Sequence, residues 1–164
     1  MVYKLGIGAQ GLVSCKELSP LKDQAYGLQY AAGRLYVSDG EIFDAATGDA
    51  LAILHDGGEP HLVGPIVADN TVGKVFGFPF NNLFESAEAI DSFYEGSFAL
   101  SGSIDVGGLD TSSYSNNPAD LILWGKNGLA FRAGTQIYFL SGAFVRNLSL
   151  APANLALKWD FPAA

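Results

Sequence analysis

The side chains best equipped for chemistry sit together in one short stretch, His55-Asp56-Gly57-Gly58-Glu59-Pro60-His61. Two imidazoles and two carboxylates this close in sequence could supply two or three ligands to a metal ion. The spacing matches no closed zinc pattern, and a Gly-Gly loop preorganises ligands poorly. A solvated loop between strands therefore competes with a metal site, and metal ligation stays open. Cys15 is the only thiol. A nucleophile needs a base beside it, whereas Cys15 lies in an apolar, strand-like stretch, and no Gly-x-Ser-x-Gly elbow occurs. Gly6-Ile7-Gly8-Ala9-Gln10-Gly11 carries the letters of a dinucleotide fingerprint, but no strand-to-helix unit surrounds it. Asp44 and Asp49 bracket Ala45-Ala46-Thr47-Gly48. Carboxylates placed so cap the backbone N–H groups of a turn; a calcium loop is the alternative and needs more oxygen ligands at closer spacing. Trp124 fits a buried strand aromatic or the lining of a sugar or quinone site. No residue is assigned a catalytic or cofactor-binding role, and no cofactor is expected.

The elements that must hold these groups are strands. The chain has 164 residues, one domain's length. Hydrophobic residues make up 49% of it and aromatics 12%, enough for a packed core, while charged residues reach only 16% against a usual value of about 25%. That deficit suggests surface buried against something outside the chain. Its 20 Gly and 7 Pro, with many Asn, Asp and Ser, indicate frequent turns and an all-β chain. The net charge is −8, and the 9 Lys and Arg form no basic run, so nucleic acid and anionic membranes are poor partners. One cysteine permits no intrachain disulfide and leaves the redox compartment open. Met1–Gln10 lacks the long apolar stretch of a signal peptide, and the longest apolar run, Ala50–Leu54, is too short for membrane insertion.

Strands are expected at Leu12–Leu18, then Gly27–Tyr30, Leu35–Ser38, Glu41–Asp44 and Ala50–Leu54, a meander joined by tight turns. A second series follows at Gly64–Ala68, Gly73–Phe78, Ala87–Phe93 and Phe98–Val106, with Ser86–Ala89 the best place for a helical turn. After a polar loop from Gly107 to Pro118 come Asp120–Trp124, Gly128–Phe131 and Gln136–Leu140, with further strands near Leu148–Leu150 and Leu155–Trp159. Leu12–Leu18 has no upstream partner and reads as the end of an incomplete unit. Gly33-Arg34-Leu35-Tyr36 recurs as Gly73-Lys74-Val75-Phe76 and, with one extra residue, as Gly134-Thr135-Gln136-Ile137-Tyr138. Repeats then begin at about 27, 64 and 128, and Tyr36, Phe76 and Tyr138 are expected between neighbouring sheets. Recurring four-stranded meanders cover their faces by stacking radially, as in a β-propeller; a single β-sandwich is the competing architecture. The fold expected is a partial β-propeller of about two and a half to three four-stranded antiparallel blades in one domain. It divides into 1–20 (the end of an incomplete blade), 25–56, 62–109 and 119–146 (blades) and 147–164 (terminal strands or tail). A ring needs about four to eight blades, so missing blades of a longer chain, or further copies in a homo-oligomer, are the expected partners.

Gly33-Arg-Leu-Tyr-Val-Ser-Asp-Gly-Glu-Ile-Phe-Asp-Ala-Ala-Thr-Gly48 resembles blades of the bacterial YVTN-type and quinoprotein-like β-propeller repeat proteins. Their "G-x-[LIV]-Y-V-x-D" strands lead into an "[LIVF]-D-x-x-T-G" hairpin. Leu121-Ile-Leu-Trp124-Gly125-Lys-Asn127-Gly128-Leu129-Ala-Phe131 resembles a carboxy-terminal blade of large bacterial propellers with an "R-W-G-x-N-G-L-A-F" signature, Leu123 standing where those have Arg. The resemblance covers roughly residues 25–145 and implies an exported protein, extracellular or periplasmic. The function expected is a non-catalytic scaffold whose loops or central face bind a protein or glycan. The alternatives are a fragment of a lactonase-like or quinoprotein-like enzyme whose active site needs further blades, and a truncated chain with no function of its own.

Overall fold

A computed structural model describes residues 2–19, 27–54, 62–79, 89–107, 109, 118–146 and 154–160. The candidate ligands at 55–61, the helical turn expected from Ser86, the tip of the polar loop at 110–117 and the segment 147–153 lie outside them. Among the described residues none is helical, and fourteen strands form four antiparallel sheets.

Strands β1 (Val2–Gly8) and β2 (Gly11–Ser19) make a hairpin. This corrects the expectation that the second strand lacks an upstream partner. The alternation of Tyr3, Leu5 and Ile7 with Lys4, Gly6 and Gly8 supports a strand, and Gly11, at φ 100°, lets the chain reverse. The first four-stranded sheet contains β3 (Leu28–Ala31), β4 (Arg34–Val37), β5 (Glu41–Asp44) and β6 (Ala50–Ile53) in chain order. The second contains β7 (Leu62–Asp69), β8 (Lys74–Pro79), β9 (Ala89–Tyr94) and β10 (Leu100–Asp105). The third contains β11 (Pro118–Trp124), β12 (Gly128–Ala133), β13 (Gln136–Ser141) and β14 (Asn154–Asp160). All three are meanders of nearest-neighbour pairs, the cheapest topology in loop closure. The third begins at Pro118, so the strand at 128 is its second, and Gly134–Tyr138 leads into its third. The recurrent Gly-x-aliphatic-aromatic pattern therefore falls on second strands in two sheets and a third strand in the last.

Two apolar layers hold the sheets together. Tyr36 and Ile42 of the first sheet pack with Ala68, Val75 and Phe93 of the second. Val67, Phe76, Phe78 and Ile90 of the second pack with Leu129, Phe131, Tyr138 and Leu140 of the third. Side chains alternate across a strand, so neighbours such as Val75 and Phe76 face opposite sheets, and the middle sheet is covered on both sides. Tyr36, Phe76 and Tyr138 lie between sheets, as expected. Phe78 meets Phe131 edge-on at 5.0 Å, and Phe131 stacks on its cross-strand partner Tyr138 at 5.1 Å. Such ring pairs add about 0.5–1.5 kcal/mol beyond area burial. The first strands of consecutive sheets, β3 with β7 and β7 with β11, also adjoin one another.

Phe76 is fully buried at the second of these layers. Replacing it with Ala should cost about 3–5 kcal/mol, read as a lowered urea midpoint. A loss below about 1 kcal/mol would mean that the second and third sheets are not packed through this ring.

Candidate functional site

Each contact between successive sheets carries the same polar device. Lys4 Nζ on β1 donates to the carbonyl oxygens of Ala45 and Ala46, at 3.5 and 3.1 Å. Arg34 Nη1 on β4 donates to Glu95 O at 2.8 Å and lies 3.4 Å from Glu95 Oε1. Lys74 Nζ on β8 donates to Phe144 O at 2.9 Å. The three acceptors lie in the same place, the connection between third and fourth strands of the following sheet. In two cases the cation also stands over a ring there, Arg34 on Phe98 at 5.1 Å and Lys74 on Phe144 at 5.9 Å. Each contact thus combines a charge-assisted hydrogen bond with, in those two, a cation–π contact. Phe98 holds φ 58°, a left-handed conformation costing a non-glycine residue about 1–2 kcal/mol. Its ring under Arg34 helps offset that cost.

Local sequence explains the donors' positions. Gly33 and Gly73, at φ 79° and 65°, turn the chain so that Arg34 and Lys74 each become the first residue of a second strand. Burial of Lys74 lowers the pKa of its ammonium. At the first layer, burial raises the pKa of the Tyr36 phenol, and the negative charge of Glu95 adds to the rise against the opposing pull of Arg34. Tyr36 Oη donates to Glu95 Oε1 at 3.5 Å. Arg146, two residues beyond Phe144, ties the same end of the second layer, reaching Asn127 Oδ1 at 3.2 Å and Thr71 Oγ1 at 3.3 Å.

The described carboxylates that mark the turns are engaged in building them. Asp44 Oδ1 accepts from Ala46 N and Thr47 N at 2.8 and 2.9 Å. Those backbone donors, Thr47 first, hold its pKa below the usual carboxylate value. Asp69 Oδ1 accepts from Thr71 N and Thr71 Oγ1 at 2.9 and 2.6 Å, and Asp39 Oδ1 from Glu41 N at 3.0 Å. Among the described residues no group of three or more His, Cys, Asp or Glu could hold a metal ion, and no helix is long and apolar enough to cross a membrane. Cys15 is exposed on β2 opposite Leu5. The run from Gly6 to Gly11 is the end of β1, the turn and the first residue of β2, with Gly8 facing Gly11, so it leads into an antiparallel strand.

Trp124 departs from its expected buried place. It is 50% exposed, with Ile122 beside it at 54%, on the side of the third sheet turned away from the second. Its ring lies 4.8 Å from Phe139 and covers Gly128, where a Cβ would come within 2.9 Å of Trp124 Cε3. Arg132 on the same face pairs with Asp120, Nε to Oδ2 at 3.1 Å. Trp124, Ile122 and Phe139 thus form an open apolar face among the described residues. Two of the inter-sheet cations, Arg34 and Lys74, were legible in principle as the basic residue after the turn glycines Gly33 and Gly73. The open face carried no such signal, because an apolar strand reads alike whether covered or bare.

Comparison with family models and with curated proteins finds no match to this chain.

Arg34→Met should cost about 1–2 kcal/mol, and in a double-mutant cycle it should couple to Phe98→Leu, the two losses failing to add. Tyr36 supplies the pH test. Its folded pKa lies above the ordinary 10.0, so its contribution is fully present below that pH and is lost as pH rises through the raised folded value. The urea midpoint of the native chain should fall above about pH 10, and that of Tyr36→Phe should fall less. Equal slopes would remove Tyr36 from the alkaline transition.

Proposed function

We propose that the chain is a partial β-propeller acting as a non-catalytic interaction scaffold. Its three meanders are read as successive blades and its hairpin as part of another. The observation that carries this reading is the stacking itself: three four-stranded antiparallel meanders joined by two apolar layers, with their first strands side by side. In a propeller the first strand of each blade lines the axis. The strings Gly33–Gly48 and Leu121–Phe131, similar to YVTN-type and quinoprotein-like blades, support the same reading. Leu28 and Tyr30 on β3 are 58% and 66% exposed, which gives the first-strand edge apolar surface for a protein or glycan partner. The described polar groups with named contacts cap turns and join sheets, which favours binding over catalysis.

The competing reading is a fragment of a lactonase-like or quinoprotein-like enzyme, and it requires a cofactor. A ligand bound only by the folded state raises the melting temperature by mass action, about 2.7 kcal/mol of stabilisation at a hundredfold excess over Kd. Thermal melts of the full chain with calcium, zinc and pyrroloquinoline quinone should show no shift if it is a scaffold. A saturable rise with any of them would replace the scaffold by the enzyme reading and direct attention to His55–His61.

A further inference from the structure

We infer that two copies of this chain associate head to tail, the outer face of the β1–β2 hairpin of one copy covering the open face of the third sheet of the other. The inference rests on reading the stacked sheets as successive blades and identifies one partner of that scaffold as a second copy.

The interior contacts have a direction. A sheet offers the face bearing its second-strand aromatic, Tyr36 or Phe76, to the opposite face of the sheet that follows. A cation from the leading sheet reaches into the following one. The hairpin obeys the same direction, since Lys4 reaches forward to the first sheet. Tyr3, Leu5 and Ile7 alternate with Lys4 along β1 and so point away from that sheet. They are 49%, 55% and 81% exposed, and Leu12, paired with Ile7, is 62% exposed. On the side away from the first sheet the hairpin therefore exposes Leu5, Ile7 and Leu12. At the other end of the stack the third sheet shows a bare offering face. There Ala130 takes the second-strand position, and Trp124, Phe139 and Ile122 supply the apolar bulk.

In the order of stacking one exposed face lies on the receiving side and the other on the offering side, at opposite ends; the third sheet differs from the others in carrying Ala130 where they carry an aromatic ring, and its Arg132 pairs with Asp120. A second copy brings the opposite side to each. A hairpin alone is marginal in water, so its apolar stripe gains most from such cover. Contacts of this heterologous kind form a ring when the rotation closes. Two copies bring six four-stranded sheets and two hairpins, within the four to eight blades at which propellers close.

The test is the mass of the full chain by light scattering behind a sizing column. The native chain should run at twice the 17.3 kDa of one copy. Ile7→Lys and Trp124→Glu should each reduce it to a single copy. Mixed in equal amounts they should recover the doubled mass, because both substitutions then meet at one contact, as an ion pair, and the other contact is native. A circular dichroism melt like the native one qualifies each variant; Leu5→Lys or Ile122→Glu replaces any that fails it. A native chain at 17.3 kDa, folded single variants that stay doubled, or folded variants that do not recombine would each overturn the association. None of these outcomes touches the scaffold reading, which falls only to a cofactor-induced rise in melting temperature.

Discussion

A small antiparallel meander has two apolar faces and nothing of its own to cover either, and the rest of this structure follows from that constraint. The middle sheet shows the solution in full. Val75 and Phe93 point one way, Phe76 and Ile90 the other, and a neighbouring sheet closes each side. Both faces of its strands are therefore rich in apolar residues, and the buried span Lys74–Phe78 loses the polar alternation of a half-exposed strand. Among the described residues the third sheet meets the requirement on one side only. The exposure of Trp124 and Ile122 is the direct result.

Apolar layers are non-directional, and by themselves they would let the sheets slide. The repeated cations supply the direction. Lys4, Arg34 and Lys74 each cross to the connection between the third and fourth strands of the next sheet and bond a backbone carbonyl there. At the two part-buried sites, Glu95 and Phe144, a carbonyl left without a partner would cost about 1–3 kcal/mol, so the register that satisfies it is favoured over its neighbours. Lys74 shows the opposing term, since its burial disfavours the ammonium and lowers its pKa. The same economy governs the carboxylates. Asp44 and Asp69 hold backbone N–H groups in tight turns, the role Asp plays when no ligand competes for its oxygens. A chain low in charge thus uses several of its charged side chains to orient strands and close turns.

Much of this was legible in the residues. Turn glycines, short alternating runs and the absence of helical periodicity specify an all-β chain of meanders, because each is local: the pleat sets a period of two and glycine alone turns freely through positive φ. The strands from Gly27 to Val106 lie close to where the pattern puts them, and Tyr36 and Phe76 lie between sheets because a large ring at a recurrent strand position needs a layer to enter. The capping role of Asp44 is equally local, whereas Asp49, at the other side of that turn, enters it through its backbone N–H, which donates to Thr47 Oγ1. What went astray locally was phase. The Gly134–Tyr138 string resembles Gly33–Tyr36 yet falls on a third strand, because the pattern describes a tight turn into a strand and any hairpin of the sheet can carry it.

Tertiary structure decided what a strand pattern cannot hold. Tyr138 and Tyr36 are similar in sequence context, but one packs back towards the sheet before it and the other forward to the sheet after it, since pairing register sets which face a residue takes. Arg34 meets Glu95 and Phe98 across some sixty positions of chain, a distance over which no periodicity speaks. Cover was decided last. Phe131 and Trp124 are aromatic residues on adjacent strands, and only the placement of the second sheet buries one at 1% exposure and leaves the other at 50%. The sequence determined that these rings would stand on a sheet. Burial depends on what lies opposite, and only the assembled sheets decide that.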